Sequence, residues 1–289
     1  MRYSIIYNAE YRYAFAVTDQ QNALRIRPAD NGAQTLEGFD LTIDPAARLY
    51  RHSDYFGTEV IQFAISESHD HLRISAEARV STEEPPPPPD PGADALTGKA
   101  FRDRGAEYLG ELEPAADREK VSALADEVRG DRPLQTLRSL CELIPDRFEY
   151  RPGATYVGST VDDLLEGGAG VCQDFVHLGL TLLRGEGIPA RYVSGYLFAP
   201  NGDSADSAEV NTHAWLEALI PAEDEEDEPV WVAADPTNRS FAGDDHVKIG
   251  HGRAYSDVPP IRGVYRGRAE SSVEASVRMT RLDRSANGN

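Results

Sequence analysis

The first 80 residues consist of short runs in which apolar and polar residues alternate. The clearest run is HLRISAEARV, residues 71–80, in which every second position is apolar. Successive side chains of a strand point to opposite faces, so this spacing predicts a strand with one buried face. Runs of the same kind, separated by Gly, Asn, Asp and Pro, cover residues 2–7, 12–18, 40–43 and 60–65. We therefore predict a small all-β domain over residues 1–82.

A proline-rich segment follows this region. Residues 83–94 read EEPPPPPDPGAD, and five consecutive prolines favour an extended polyproline II conformation. We predict that the segment is a linker. Docking to a proline-binding module is the alternative, but a single run beside a domain boundary is more often a spacer.

After the linker the apolar period becomes helical, which predicts a second domain over residues 95–289. A first helix is expected over residues 96–109. In residues 118–130 the apolar positions recur at i, i+3, i+4 and i+7. A third helix is predicted over residues 133–148, with Pro133 in its first turn and Pro145 near its end.

The charge of the chain excludes two classes of partner. Forty-nine acidic residues against 29 basic ones give a net charge of -20, which repels phosphate backbones and anionic lipids. We expect neither nucleic-acid nor membrane binding. Only Lys99, Lys120 and Lys248 are lysines. Both a GC-rich genome and adaptation to a cytoplasm of very high salt, a halophilic origin, account for this acidic, lysine-poor composition.

The cysteines, histidines and apolar runs indicate which kinds of site and location to expect. The two cysteines allow at most one disulfide and form no C-x-x-C pair, and the seven histidines are not spaced with them as metal ligands. We therefore expect no metal and no cofactor. No apolar run approaches the length of a membrane span, and the N-terminus lacks the features of a secretory signal. The expected location is the cytoplasm.

Cys172 is the candidate nucleophile. In residues 166–184, EGGAGVCQDFVHLGLTLLR, it stands where a glycine-rich turn leads into an apolar helix. Free N–H groups and the helix dipole at such a position favour the thiolate of a cysteine. Asp174, in the first turn, is expected to accept from these N–H groups as structural support. His177 points to another face and is disfavoured as the base, and Cys141 is expected to be a buried hydrophobe.

A base and its orienting acid are predicted on two later strands. Residues 211–221 and 229–238 read as an antiparallel pair joined by the acidic turn 223–228. Direct pairing of His213 with Asp235 centres the turn on Asp224. A register shifted by two residues keeps both on one face, because the side-chain period of a strand is two. On spacing alone, a core cysteine, an exposed histidine and a turn aspartate remain the alternative.

The same residues resemble a known family. The segments GVCQDFVHLGLTLLRGEGIPARYVSGYL, HAWLEALIP and WVAADPTN are similar to the transglutaminase-like superfamily, in particular to its bacterial and archaeal cysteine peptidase group. The resemblance extends over residues 108–267, and DYFGTEVIQFAI resembles the β domain that precedes this core. It implies an α+β fold, a papain-like core behind a small all-β domain.

The resemblance also implies a reaction. Cys172 matches the nucleophile of the family, His213 the general base and Asp235 the orienting acid. The reaction would be acyl transfer on a peptide or protein substrate through a thioester. Hydrolysis of peptide-like amides by a cysteine peptidase or amidase is one outcome, and protein-glutamine gamma-glutamyl transfer is the other. A non-catalytic interaction module is the competing hypothesis, although such a module has no chemical need for all three residues. The oligomeric state is open.

Several residues are candidates for the cleft. The backbone N–H of Cys172 is the first expected oxyanion donor. Tyr156 is a candidate second donor or, alternatively, a buried tyrosine packed on the sheet. Gln173 is expected to line the cleft, and Trp215 to be a core or pocket-wall residue. The acidic turn either attracts cationic amines to the cleft or is a solvated hairpin tip. The loop 194–211 is a candidate cleft wall.

Overall fold

The computed structural model describes residues 1–110, 117–200, 207–210, 212–224 and 227–282. The strands within these ranges are β1 Arg2–Leu24, β2 Gln34–Asp44, β3 Tyr50–Ser53, β4 Glu59–Ile65, β5 His69–Thr82, β6 Glu149–Tyr150, β7 Ala169–Gly170, β8 Ala190–Leu197, β9 Ser207–Val210, β10 Thr212–Ile220, β11 Val230–Asp235, β12 Ser240–Phe241, β13 His246–Gly252, β14 Ile261–Arg266 and β15 Ser271–Arg281. The helices are α1 Lys99–Gly105, α2 Arg118–Val128, α3 Pro133–Arg147, α4 Val161–Gly167 and α5 Cys172–Gly185.

The N-terminal region forms a large antiparallel sheet in the order β2-β5-β1-β15-β9, with β14 and β4 also pairing with β1 and β3 pairing with β4. The alternation in β5 is confirmed, because its apolar positions are at most 5% exposed: Leu72, Ile74, Ala76, Ala78 and Val80. The two runs predicted at residues 2–7 and 12–18 belong to the single long strand β1. Its pairing with β5 is interrupted between Arg12 and Val17, where the register shifts.

The two ends of the chain meet in this sheet, which differs from the predicted division at residues 83–94. β15 pairs with β1 from Tyr3 opposite Arg281 to Tyr13 opposite Ser271. The C-terminal strands thus lie with the N-terminal region, although the sequence analysis grouped them with residues 95–289. The physical reason is that β1, already paired with β5, has a second edge whose backbone groups need partners.

The helices after the proline-rich segment follow the apolar pattern in α2 and α3. The predicted first helix is wrong in extent, since α1 is flanked by short 3₁₀ turns at Ala93–Thr97 and Ala106–Tyr108. Gly98 separates the first turn from α1 with an extended backbone. The helix α4 is not predicted by the sequence. Among the described helices, none combines the length and apolarity needed to cross a bilayer.

A second sheet, in the order β12-β11-β10-β8-β13, carries the candidate site together with α5. All of its pairings are antiparallel. α5 approaches β10 closely, because a Cβ atom on Gly179 would lie only 2.7 Å from Cδ2 of Leu216. The mixed α and β architecture, with an all-β region ahead of it, matches the predicted fold class. The close packing of α5 places its first residue beside the end of β10 that carries His213.

Candidate active site

Cys172 is the first residue of α5, and the chain enters the helix through the extended residue Val171. Asp174 fixes this entry, because its Oδ2 accepts from the Val171 N–H at 2.8 Å and from Oγ1 of Thr155 at 2.6 Å. The carboxylate of Asp174 is buried, with 3% of the residue exposed. The N–H groups of Asp174 and Phe175 donate to the Val171 carbonyl, whereas those of the first two helical residues have no acceptor within the helix. The thiol therefore stands beside free donors, and Asp174 supports the turn that presents it.

His213 and Asp235 are joined by a short hydrogen bond between neighbouring strands. Leu216 lies opposite Ala234, a register shifted by two residues from direct pairing of His213 with Asp235. The two side chains are consequently diagonal neighbours on one face, and Nε2 of His213 donates to Oδ2 of Asp235 at 2.7 Å. Asp235 is completely buried. The contact fixes the imidazole ring and leaves its Nδ1 free for the thiol.

The carboxylate of Asp235 is held by several donors. Its Oδ1 accepts from the backbone N–H groups of Thr237 at 2.9 Å and Asn238 at 3.2 Å, and its Oδ2 accepts from Nδ2 of Asn238 at 2.7 Å. Burial acts to raise the pKa of Asp235, but the hydrogen bonds from His213 and His246 outweigh it and hold the pKa well below its usual range. The carboxylate therefore stays ionised.

The surroundings of His213 favour its protonated form next to Cys172. Burial acts to lower the pKa of His213, whereas the hydrogen bonds to Asp235 and Cys172 and the charges of both groups raise it well above its usual range. Cys172 is partly exposed, in contrast to Asp235. The structure thus brings together Cys172, His213 and Asp235 with the carboxylate inside and the thiol at the surface.

A second histidine contacts the same carboxylate, and the sequence analysis missed it. Nε2 of His246, at the start of β13, lies 3.2 Å from Oδ2 of Asp235. Its Nδ1 lies 2.6 Å from Oδ1 of a second carboxylate, that of Asp245. No local pattern marks His246, because β13 is not predicted, and the approach of its side chain to Asp235 depends on the pairing of β13 with β8 in the second sheet.

Two aromatic candidates have different surroundings. Trp215 is buried and contacts both histidines, with its ring centroid 6.2 Å from that of His213 and 5.2 Å from that of His246. It is a wall of the site, with its ring nearly parallel to that of His213. Tyr156 is 74% exposed, which excludes the alternative of a tyrosine buried against the sheet. The structure gives no contact between its phenol and Cys172.

Tyr150 is a further aromatic residue at the site that the sequence analysis did not select. β6 pairs with β7 so that Tyr150 lies opposite Gly170, two residues before Cys172. Its ring contacts that of Phe175, with centroids 6.3 Å apart, and half of the residue is exposed. Burial and the nearby Cys172 and Asp235 raise the pKa of Tyr150. The signal in the sequence is only its place in FEYRPGATYV, ahead of the cysteine.

One face of α5 lines a cavity of about 490 Å³, whose lining includes Gln173, the residue after Cys172, but not Cys172, His213 or Asp235. Gln173, predicted to line the cleft, lies in this wall together with His177. Nε2 of His177 accepts from the backbone N–H of Tyr255 at 3.3 Å. Burial lowers the pKa of His177 to about 4, so the ring is neutral and engaged at a distance from the thiol chemistry.

Two family models match separate regions of the chain. The model of the bacterial transglutaminase-like N-terminal region matches residues 3–81, and that of the transglutaminase-like superfamily core matches residues 117–236. An uncharacterised protein of Mycobacterium leprae is 32% identical over 289 residues, covering 97% of this chain and 99% of that protein. The chain belongs to the transglutaminase-like superfamily.

One further sequence relative and one solved structure are similar to this transglutaminase-like chain. A protein-glutamine gamma-glutamyltransferase of Pseudomonas aeruginosa is 29% identical over 163 residues, covering 51% of this chain and 23% of that protein. The crystal structure of a candidate cysteine protease from Cytophaga hutchinsonii superposes with a TM-score of 0.73 at 21% identity, covering 98% of this chain and 92% of that one. At such identity the superposition shows a common fold.

The transglutaminase-like site also contains three groups within reach of one another that are able to ligate a metal. Ligand atoms of His213, Asp235 and His246 lie within 4.8 Å of each other. Both histidine nitrogens nevertheless stand at hydrogen-bond distance from the same oxygen, Oδ2 of Asp235. The three residues form a hydrogen-bonded network centred on this oxygen.

Two predicted features of the cleft fall partly outside the described residues. Residues 225–226 of the acidic turn 223–228 are not among them, nor are residues 201–206 and 211 of the loop 194–211. At the described end of the turn, Glu228 forms an ion pair with Arg104. The role of the acidic turn in attracting cationic amines stays a prediction.

Proposed function

We propose that this protein catalyses acyl transfer on amide substrates through a thioester at Cys172. The observation that carries the proposal is the contact between His213 and the buried Asp235, next to a cysteine at the start of α5. A histidine with one nitrogen held by a carboxylate presents the other nitrogen to the nucleophile in a fixed tautomer. The superfamily membership supports the same roles.

The first half of the reaction forms the thioester. Nδ1 of His213 takes the thiol proton, and the sulfur of Cys172 attacks the carbonyl carbon of the amide. The oxygen of the tetrahedral intermediate is stabilised by the backbone N–H of Cys172 at the start of α5. The imidazolium of His213 then gives its proton to the leaving nitrogen, the C–N bond breaks, and ammonia or an amine departs. Asp235 stays ionised throughout and stabilises the imidazolium.

The second half of the reaction decides the product. Water attacking the thioester gives a carboxylate, and a second amine gives a new amide. We propose hydrolysis of peptide-like amides as the main reaction and gamma-glutamyl transfer to amines as the second. The partial similarity to a protein-glutamine gamma-glutamyltransferase supports the transfer reaction, and the fold shared with a candidate cysteine protease is compatible with hydrolysis. The proposed substrates are peptides or proteins.

Product analysis tests this proposal. A library of glutamine-containing peptides is incubated with the protein, with and without a primary amine such as cadaverine, and the products are analysed by mass spectrometry. We expect cleaved or deamidated peptides in both samples and an amine adduct only in the second. The matched control is the Cys172→Ala variant, which removes only the sulfur. Equal product formation by the variant would refute the thioester route.

A further inference from the structure

His246 bridges two carboxylates, those of Asp235 and Asp245. Nε2 lies 3.2 Å from Oδ2 of Asp235, and Nδ1 lies 2.6 Å from Oδ1 of Asp245. The residue is 8% exposed. The backbone N–H of Gly243 also lies 3.3 Å from Nδ1, but the shorter contact of Nδ1 is with Asp245. A carboxylate oxygen only accepts, so these contacts with Asp235 and Asp245 assign a proton to each nitrogen.

Packing fixes the orientation of this ring. The indole of Trp215 meets it edge to face with centroids 5.2 Å apart. The indole packs directly against Gly195 of β8. A Cβ atom at this position would lie 2.3 Å from the Trp215 ring, so only glycine leaves room for the indole. The ring of His246 therefore cannot rotate away from Asp235 without displacing the wall of the site.

The groups that face His246 carry the charges that keep it protonated. They are Asp235 from β11, Asp245 from its own segment and, 6.3 Å away between ring centroids, His213 from β10. Burial acts to lower the pKa of His246, but its hydrogen bonds to Asp235 and Asp245 outweigh it and raise the pKa. The Asp235 carboxylate thus contacts two histidines, His213 and His246, whose protonated forms it stabilises.

We propose that His246 is a positioning residue of the reaction: it holds the Asp235 carboxylate in the orientation from which Oδ2 engages His213, and so aligns the base with Cys172. The inference rests on the proposed function of Cys172. His246 adds a charged donor to the oxygen that His213 and the amide of Asn238 also contact, and its positive charge compensates a buried anion. Removal of this contact leaves His213 less well aligned and the thiolate less stabilised.

The test compares three variants by the rate at which iodoacetamide alkylates Cys172 between pH 4 and pH 9. His246→Gln keeps an amide donor near the position of Nε2, His246→Asn keeps a donor toward Asp245 only, and His246→Phe keeps the ring without donors. We expect the Phe and Asn variants to react about tenfold more slowly at neutral pH, with the acid limb of the rate profile moved to higher pH. The Gln variant should stay within about threefold of the parent.

A double-mutant cycle separates positioning from a merely structural role. In an Asp235→Asn background, His246→Phe should lower the alkylation rate of Cys172 hardly any further, because the effect of His246 is transmitted through the Asp235 carboxylate. An equal loss in both backgrounds, or a His246→Phe variant with the parent's rate and acid limb, would overturn the proposal. If His246→Phe does not fold, as judged by its thermal transition, the comparison of Gln with Asn decides. Alkylation needs no amide substrate, so failure of the proposed function would leave this result unchanged.

Discussion

Replacement of Cys172 by alanine is expected to abolish amide turnover, and His213→Ala to reduce it about 10⁴-fold or more. The first change removes the atom that forms the thioester, and the second removes the group that takes and returns the proton. Asp235→Asn should leave weak activity, about 10³-fold below the parent, because nucleophile and base remain while their alignment and the charge opposite His213 are lost. The measurement is kcat/KM with a peptide found by the product analysis.

The control for these variants is the other histidine of α5. Nε2 of His177 accepts a hydrogen bond from the backbone N–H of Tyr255, and the ring stays neutral. The His177→Ala variant should therefore keep kcat/KM within about tenfold of the parent. All variants are compared by circular dichroism and thermal midpoint, to separate chemistry from folding. An inactive His177→Ala variant beside an active His213→Ala variant would show that the base is misassigned.

Iodoacetamide at neutral pH should label Cys172 at least about 100-fold faster than Cys141. Cys141 lies inside α3 with 3% of its surface exposed. Burial and the charges of Asp235 and Glu142 raise its pKa to about 12, so its reactive thiolate is scarce. Cys172 is partly exposed and beside His213. Peptide mass spectrometry after timed quenching measures both rates in one sample.

The matched control for the labelling is full denaturation. In guanidinium chloride the two thiols lose their different surroundings, and their rates should converge to within a few-fold. His213→Ala should slow the labelling of Cys172 in the folded protein and leave Cys141 unchanged. Equal labelling in the folded protein, or faster labelling of Cys141, would contradict the role of Cys172.

The positions of Cys172, His213 and Asp235 in their elements follow from short-range rules, whereas their proposed roles come from the family resemblance. A helix start at Cys172 follows from the glycine-rich turn, and the facing of His213 and Asp235 follows from the period of two in paired strands. The register differs by two residues from direct pairing, and the shared face is unaffected. Asp174 was placed in the first turn by the same local reasoning, and its carboxylate accepts the Val171 N–H there.

The features that the sequence did not predict depend on contacts between distant segments. His246 meets Asp235 only because β13 joins β8 at the edge of the second sheet. Likewise β15 joins β1 across almost the whole chain. Alternating side chains reveal a strand and its buried face, but not which neighbour pairs with it. The break of the predicted first helix at Gly98 was not foreseen, because helical periodicity alone gives poor boundaries.

The covalent intermediate is the most direct test of the account. The protein is mixed with a glutamine-containing substrate peptide, quenched in acid within milliseconds to seconds, and examined by intact and peptide mass spectrometry. The account predicts a transient adduct with the mass of the acyl group on Cys172, removed by hydroxylamine and absent from the Cys172→Ala variant. Product formation with an adduct on another residue, or with the Cys172→Ala variant as active as the parent, would contradict the thioester mechanism.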